Sequence, residues 1–193
     1  MKLVMIRHPV TLANIEGVIQ KDVKGAIAPR GYAQIERAVN RLSSIRFDNC
    51  YSSDSDRCRE LSERLGAISK ISPFYSPLFR EMSNGLLEGE KKDSVQRLEA
   101  DDPYNFKPAG GESINEFVTR AREGLRLIVS RGGERNLLVS HGWFLKVFLG
   151  NQLGINPIDA IKKLKFSNCA ISEISVTDDS CLVEYLNNRD YLV

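Results

Sequence analysis

The chain has only two histidines among its 193 residues, and each follows a strongly apolar run. His8 comes after residues 3–6, and His141 comes after residues 137–139. An apolar run bounded by polar residues is typical of a buried strand in a parallel sheet. In open α/β sheets, ligands bind beyond the carboxyl ends of such strands. Either histidine alone could be a hydrogen-bonded structural residue, but the pair predicts one functional site.

The residues near these histidines are donors of the kind that a phosphoryl group requires. A guanidinium, an imidazole, a hydroxyl and an amide fall within one turn region, at Arg7, His8, Thr11 and Asn14. Arg57 lies near the start of a predicted helix, whose N-terminus favours anions. Glu81 offers a carboxylic acid after the third predicted strand. The backbone N–H of Gly142 and the ring of His141 could face the same anion.

Strand-like runs alternate with helical periods along the chain. Strands are predicted at 3–6, 47–51, 71–75 and 137–139, followed by a hairpin of 170–176 and 182–186 that turns at 178–180. Helices are predicted at about 35–42, 55–65, 114–128 and 143–149, the second with N-cap chemistry from Ser52, Ser53 and Asp54. This order predicts an α/β sandwich with a mostly parallel sheet.

The periodicity weakens over residues 76–111, which contain Pro77, Pro103, Pro108 and a Gly110-Gly111 pair. A short helix is predicted within this segment at 94–99. We interpret 76–111 as a lid or insertion rather than a second domain, so that residues 1–193 form a single domain.

Composition limits the remaining classes of function. The net charge is +2, from 27 basic and 25 acidic residues, which argues against nucleic acid or membrane partners. The four cysteines form no C-x-x-C pair, and two histidines cannot complete a usual zinc pattern with them. We therefore expect reduced thiols and no metal. The apolar run after Lys2 is too short for a signal peptide, and a cytoplasmic location is expected.

Taken in order, the motifs resemble those of the histidine phosphatase superfamily, which has the phosphoglycerate-mutase-like fold. The opening pattern R-H-G-x-T with a following Asn resembles residues 7–14, and L-T-x-x-G-x-x-Q resembles 27–34. S-S-x-x-x-R matches 52–57, and an acid before G-x-x-E-G matches Glu81 and 85–89. G-G-E-S matches 110–113, and S-H-G matches 140–142. The resemblance implies a three-layer α/β/α sandwich.

The resemblance also implies a role for each motif residue. His8 would be the nucleophile that forms a phosphohistidine, and Glu81 would protonate the leaving group. The phosphoryl oxygens would be held by Arg7, Arg57, His141, Asn14, Thr11 and Gly142. No metal or cofactor would be required, and the substrate would be a small phosphorylated metabolite.

Within the superfamily, phosphoglycerate mutases carry E-R-x-Y-G after the acid and are longer. Residues 81–85 read Glu-Met-Ser-Asn-Gly, which favours a phosphatase and resembles short bacterial members of the α-ribazole phosphatase type. A mutase remains the alternative. Pro9 replaces the glycine that follows the nucleophile in the family, and this departure keeps open a weakly active or non-catalytic phosphate-binding member. The oligomeric state is left open.

Overall fold

The computed structural model of this chain describes residues 1–20, 25–92, 98, 100–177 and 180–192. The strands are β1 (Lys2–Arg7), β2 (Asn49–Ser52), β3 (Phe74–Tyr75), β4 (Arg135–Ser140), β5 (Ile171–Val176) and β6 (Cys181–Asn188). The α-helices are α1 (Leu12–Glu16), α2 (Pro29–Leu42), α3 (Asp56–Ser69), α4 (Ile114–Arg131), α5 (Gly142–Gln152) and α6 (Pro157–Lys163). Short 3₁₀ turns lie at Pro77–Phe79, Gly85–Leu87 and Asp190–Leu192.

The six strands form one sheet in the order β3-β2-β4-β1-β5-β6. The four strands from β3 to β1 run parallel to their neighbours, whereas β5 is antiparallel to β1 and pairs with β6 as a hairpin. The predicted α/β class with a mostly parallel sheet is confirmed. The predicted hairpin is also confirmed, although residues 178 and 179 of its turn lie outside the described residues.

Both faces of the sheet are covered, because side chains of successive strand residues point to opposite faces. In β1, Leu3 and Met5 pack into one core cluster with α4, α5 and α6, while Val4 and Ile6 pack into a second cluster with α2 and α3. All four side chains are fully buried. Continuous apolar sequence is therefore what a central strand requires, and helices on both faces give the predicted three-layer sandwich.

Two strand predictions differ from the structure in their bounds. The third strand was predicted at 71–75 but contains only Phe74–Tyr75, because Ile71 N instead donates to Gly66 O and closes the end of α3. Pro73 in addition has no N–H to offer a neighbouring strand. Phe47 is buried but precedes β2, which begins at Asn49. The predicted helix at 94–99 lies outside the described residues, apart from residue 98.

The N-cap of α3 is Ser55, not one of the three residues predicted for that position. No side chain caps this helix end. The hydroxyl of Ser53 contacts His141, and the carboxylate of Asp54 forms two hydrogen bonds with Arg80, at 2.7 and 2.6 Å. These side chains bind residues that are distant in sequence instead of capping α3, and local sequence preference does not predict such contacts.

The four cysteines are free thiols, as expected, and Cys50, Cys58 and Cys169 are buried. Among the described residues, no helix combines the length and apolar character needed to cross a membrane.

Candidate active site

Three neighbouring strands end at the same edge of the sheet and bring the predicted site residues together. Arg7 pairs with Ser140, Ser52 pairs with Val139, and His8 N donates to Ser140 O at 2.9 Å. A cavity of about 420 Å³ opens at this edge. Of the predicted site residues, it is lined by Arg7, His8, Asn14, Arg57, Glu81, His141 and Gly142.

Thr11 is the predicted phosphate ligand that the structure does not bring into the cavity lining. Its hydroxyl donates to Gln20 Oε1 at 3.0 Å and accepts from Asn14 N at 3.2 Å. Thr11 is the N-cap of α1, and Asn14 Oδ1 accepts from Thr11 N in return, which completes a capping box. We therefore revise the assignment of Thr11 from phosphate ligand to helix cap.

The ring of His8 has one nitrogen fixed by the backbone. Nδ1 lies 2.8 Å from Pro9 O, and a carbonyl oxygen only accepts, so Nδ1 carries the hydrogen and Nε2 keeps its lone pair. Burial lowers the pKa of His8 well below 6.5, and the charges of Arg57 and Arg7 lower it further. The imidazole is consequently neutral near pH 7, which is the form that can attack phosphorus.

The loop that carries His8 is supported by residues of the 27–34 motif. Val10 N donates to Gln34 Oε1 at 2.9 Å, and Ala28 N donates to Val10 O at 3.0 Å. A Cβ at Gly31 would come 2.4 Å from Val10 O, so only glycine allows α2 to approach this loop so closely. The glycine and glutamine of that motif therefore position the loop that carries His8.

Arg7 lies in the cavity wall, and its guanidinium forms a hydrogen bond with a backbone carbonyl. Nη1 donates to Phe166 O at 2.8 Å, whereas Nε is buried and has no hydrogen-bond partner in the described part of the chain. Burial lowers the pKa of Arg7, but an arginine stays charged at physiological pH. A Cβ at Gly142 would lie 3.2 Å from Arg7 Cζ, so the glycine of S-H-G leaves room for this guanidinium.

His141 and Arg57 form a fully buried pair beside His8. Arg57 Nη2 can only donate, so the 3.2 Å contact makes His141 Nδ1 an acceptor and places the hydrogen on Nε2. Nε2 then donates to Ser53 Oγ at 2.9 Å. The two imidazole centroids are 5.2 Å apart. Burial, followed by the charge of Arg57, lowers the pKa of His141 well below 6.5. Both ring nitrogens of His141 thus have protein partners, one of which must be exchanged for it to bind a phosphoryl oxygen.

The carboxylate of Glu81 sits at the N-terminus of α5. Oε2 accepts from Trp143 N at 3.0 Å, and Oε1 accepts from Phe144 N at 3.0 Å and Met82 N at 3.2 Å. A carboxylate oxygen has two lone-pair positions, so Oε2 retains one that faces no backbone donor. Oε2 therefore accepts one backbone hydrogen bond fewer than Oε1.

The 110–113 motif braces the segment that carries Glu81. Glu112 receives two hydrogen bonds of 2.7 Å from Arg120 and one of 2.9 Å from Ser83 N. Arg120 also donates to the carbonyls of Arg80 and Glu81 at 2.9 and 3.1 Å. This ion pair ties both sides of Glu81 to helix α4, a role that the sequence motif alone does not reveal.

Further residues at the site were not identified from the sequence. Lys146 and Lys165 line the cavity, and Lys146 Nζ donates to Ile161 O at 2.6 Å. Burial, together with the charge of Arg7, lowers the pKa of Lys146. Lys146 follows Gly142 by four residues, one helical turn, so this position could have been inferred from the predicted helix. Asn168, which contacts the backbone of His8, gives no such signal.

Two histidines, two arginines and a glutamate thus line one cavity at the edge of an α/β sheet. The model of the histidine phosphatase superfamily (branch 1) matches residues 3–189. A protein of Erwinia tasmaniensis named probable phosphoglycerate mutase GpmB is 30% identical over 182 residues, which cover 90% of this chain and 84% of that protein. This chain belongs to the histidine phosphatase superfamily.

Solved structures agree on the fold. The α-ribazole phosphatase of Shigella flexneri superposes with a TM-score of 0.85 at 20% identity, covering 97% of this chain and 96% of that one. A mycobacterial glucosyl-3-phosphoglycerate phosphatase in complex with VO3 gives a TM-score of 0.85 at 20% identity, covering 97% and 99%. At this level of identity, the likeness supports the phosphoglycerate-mutase-like fold and not a shared substrate.

Proposed function

We propose that this protein hydrolyses phosphomonoesters of small metabolites through a phosphohistidine formed on His8. The observation that carries the proposal is the neutral His8 ring, whose Nδ1–H is bound to Pro9 O while the cavity also presents Arg7 and Arg57. The ring offers a lone pair, and the guanidiniums offer donors for the oxygens around phosphorus.

The reaction has two steps, phosphorylation of His8 and its dephosphorylation by water. First, His8 Nε2 bonds to phosphorus, the ester P–O bond breaks, and the leaving oxygen takes a proton from Glu81. Water then attacks phosphorus and gives a proton to Glu81, the N–P bond breaks, and orthophosphate leaves. Side-chain cations supply the charge stabilisation that this transfer requires, so the proposal includes no metal.

The charge of the cavity supports a small, anionic substrate. The described residues that line it include five cationic side chains, Arg7, Arg57, Lys92, Lys146 and Lys165, against the single carboxylate of Glu81. A phosphomonoester dianion offsets only part of this positive charge. A second anionic group on the substrate would offset more of it.

A phosphoglycerate-type mutase is the second candidate, favoured by the name of the Erwinia relative. The residues after the acid argue against it. At the positions of the mutase Arg and Tyr, this chain has Met82, which is buried, and Asn84, whose Nδ2 donates to Met82 O at 3.0 Å. Both line the cavity, which therefore lacks the mutase guanidinium at this point.

The test is an assay of a panel of phosphomonoesters in EDTA, with His8→Ala as the control. We expect release of orthophosphate and, on enzyme quenched without acid, an acid-labile phosphate on His8. Conversion of 3-phosphoglycerate to its 2-isomer without orthophosphate would favour the mutase, and activity that EDTA abolishes and magnesium restores would refute the metal-free mechanism.

Glu81→Gln tests the proton donor separately. Hydrolysis of alkyl phosphates should fall strongly, because an alkoxide needs a proton to leave. The burst of His8 phosphorylation by an aryl phosphate with an acidic phenol should be largely spared. Equal losses in both reactions would assign Glu81 to binding or folding instead.

A further inference from the structure

Asn168 lies in the loop between α6 and β5, against the end of β1 that carries the nucleophile. Its Nδ2 is 3.0 Å from His8 O, 3.3 Å from Pro9 O and 3.1 Å from Asn14 Oδ1. All three neighbours are oxygen acceptors, so only the amide NH₂ can face them. Asn168 itself does not line the cavity around His8.

The orientation of Asn14 follows from the same contacts. Its Oδ1 accepts from Thr11 N at 3.3 Å, and a backbone N–H can only donate, so the oxygen must point toward α1 and Asn168. Both hydrogens of Asn14 Nδ2 are then left for other acceptors. Because Asn14 lines the cavity, these hydrogens are available to a bound phosphoryl oxygen.

Asn168 also bonds to the carbonyl that fixes the nucleophile. Pro9 O accepts both His8 Nδ1–H and Asn168 Nδ2, and His8 O accepts from Asn168 as well. The backbone N–H of the next residue, Cys169, donates to Arg7 O at 3.0 Å. The loop therefore holds the backbone on both sides of the His8 ring.

We propose that Asn168 is a positioning residue that orients two groups of the site at once. It holds Asn14 with its NH₂ toward the phosphoryl oxygens, and it holds the Pro9 carbonyl that keeps the lone pair on His8 Nε2. This inference rests on the proposed function, since it concerns how the same site binds a phosphoryl group.

The experiment measures orthovanadate binding to the purified protein by calorimetry, which does not depend on turnover. Loss of one oriented amide contact to an anion should weaken binding about tenfold in Asn168→Ala. Asn14→Ala should weaken it similarly, and the double variant should weaken it by less than the product of the two single effects, because part of the effect of Asn168 acts through Asn14. Fully additive losses, or unchanged binding in Asn168→Ala, would overturn the inference.

Asn168→Asp tests whether the amide donor of Asn168, and not only the space that its side chain fills, is required. Aspartate has nearly the same shape but offers no donor to the three oxygens, so it should bind orthovanadate more weakly than Asn168→Ala does. A side chain that only fills space would give the opposite order. Asn187→Asp is the matched charge control, since Asn187 Oδ1 holds Ser167 N of the same loop without touching His8 or Asn14. It should bind orthovanadate as the wild type does.

Each variant is compared at a temperature below its thermal midpoint. If Asn168→Asp does not fold, the comparison of Asn14→Ala, Asn168→Ala and the double variant still tests whether Asn168 acts through Asn14. Absence of orthovanadate binding by the wild type would refute the proposed function and this inference with it, a result distinct from wild-type binding that Asn168→Ala leaves unchanged.

Discussion

Acidification from pH 7.5 to 5.5 should destabilise this protein through its two buried histidines. The pKa of each lies well below 6.5 in the folded state, because burial disfavours the imidazolium and Arg57 repels it. In the unfolded chain, both rings titrate with a pKa near 6.5. Between these values the unfolded state binds more protons, so the free energy of unfolding decreases as the pH falls through 6.5.

While both rings stay neutral in the folded state, the change in the free energy of unfolding is set only by proton binding to the unfolded chain. Between pH 7.5 and 5.5, proton binding by one histidine of the unfolded chain lowers the free energy of unfolding by about 1.4 kcal/mol, and binding by both lowers it by about 3 kcal/mol. This is a large fraction of the stability of an ordinary domain. Stability from these two groups is fully present above pH 6.5 and is lost below it.

The assay is urea unfolding at pH 7.5, 6.5 and 5.5 for the wild type, His8→Asn and His141→Asn. Carboxylates that titrate in the same range are common to all three proteins, so the differences in slope isolate each histidine. Each variant should lose about 1.4 kcal/mol less than the wild type between pH 7.5 and 5.5. Identical slopes in all three proteins would show that each ring gains its proton over the same pH range in the folded and unfolded states, which would refute the lowered pKa of the folded state.

Further predictions concern residues in and near the cavity. Arg57→Ala should reduce kcat/KM on the order of a hundredfold, whereas Arg59→Ala should change it little, because Arg59 donates to Asp54 O and stacks on Tyr75 outside the cavity. Similar values for both variants would contradict the placement of Arg57. Arg120→Ala should slow hydrolysis of alkyl phosphates more than that of activated aryl phosphates, measured side by side, because it frees the segment of the proposed acid; a uniform loss would argue against this brace. Lys146→Gln should raise KM up to about fivefold for a phosphomonoester that carries an additional carboxylate, and it should leave KM unchanged for an aryl phosphate without a second anionic group; the same change in KM for both substrates would argue against a site for a second anionic group.

The part of the site that consists of residues following a strand could be predicted from the sequence. His8, Arg57 and His141 each follow a buried strand, and parallel strands bring their carboxyl ends to one edge, so sequence order alone implies that these side chains converge. Thr11 shows the limit of this reasoning. A threonine three residues before Asn14 serves equally as a helix cap or as an anion ligand, and only the Gln20 contact distinguishes the two.

Asn168 and Arg120 could not be predicted because their roles arise from contacts between distant parts of the chain. Asn168 is 160 residues from His8, and its residue type is common in turns. In the sequence Arg120 resembles an exposed helical arginine, but in the structure it donates to the carbonyls of Pro77, Leu78, Arg80 and Glu81. Sequence periodicity reports which face of an element is apolar, but it does not report which backbone groups a polar side chain will satisfy.

Pro9, the clearest departure from the family pattern, is compatible with the geometry of His8, the proposed nucleophile. Proline favours an extended residue before it, and the N–H of His8 continues the β1–β4 ladder by donating to Ser140 O. Proline removes an N–H, but the group used at this position is the carbonyl, which accepts from His8 Nδ1 and Asn168 Nδ2. With φ fixed by the ring, that carbonyl has less freedom to rotate away than a glycine carbonyl would have. The substitution therefore removes a donor while restraining the acceptor that sets the tautomer of His8.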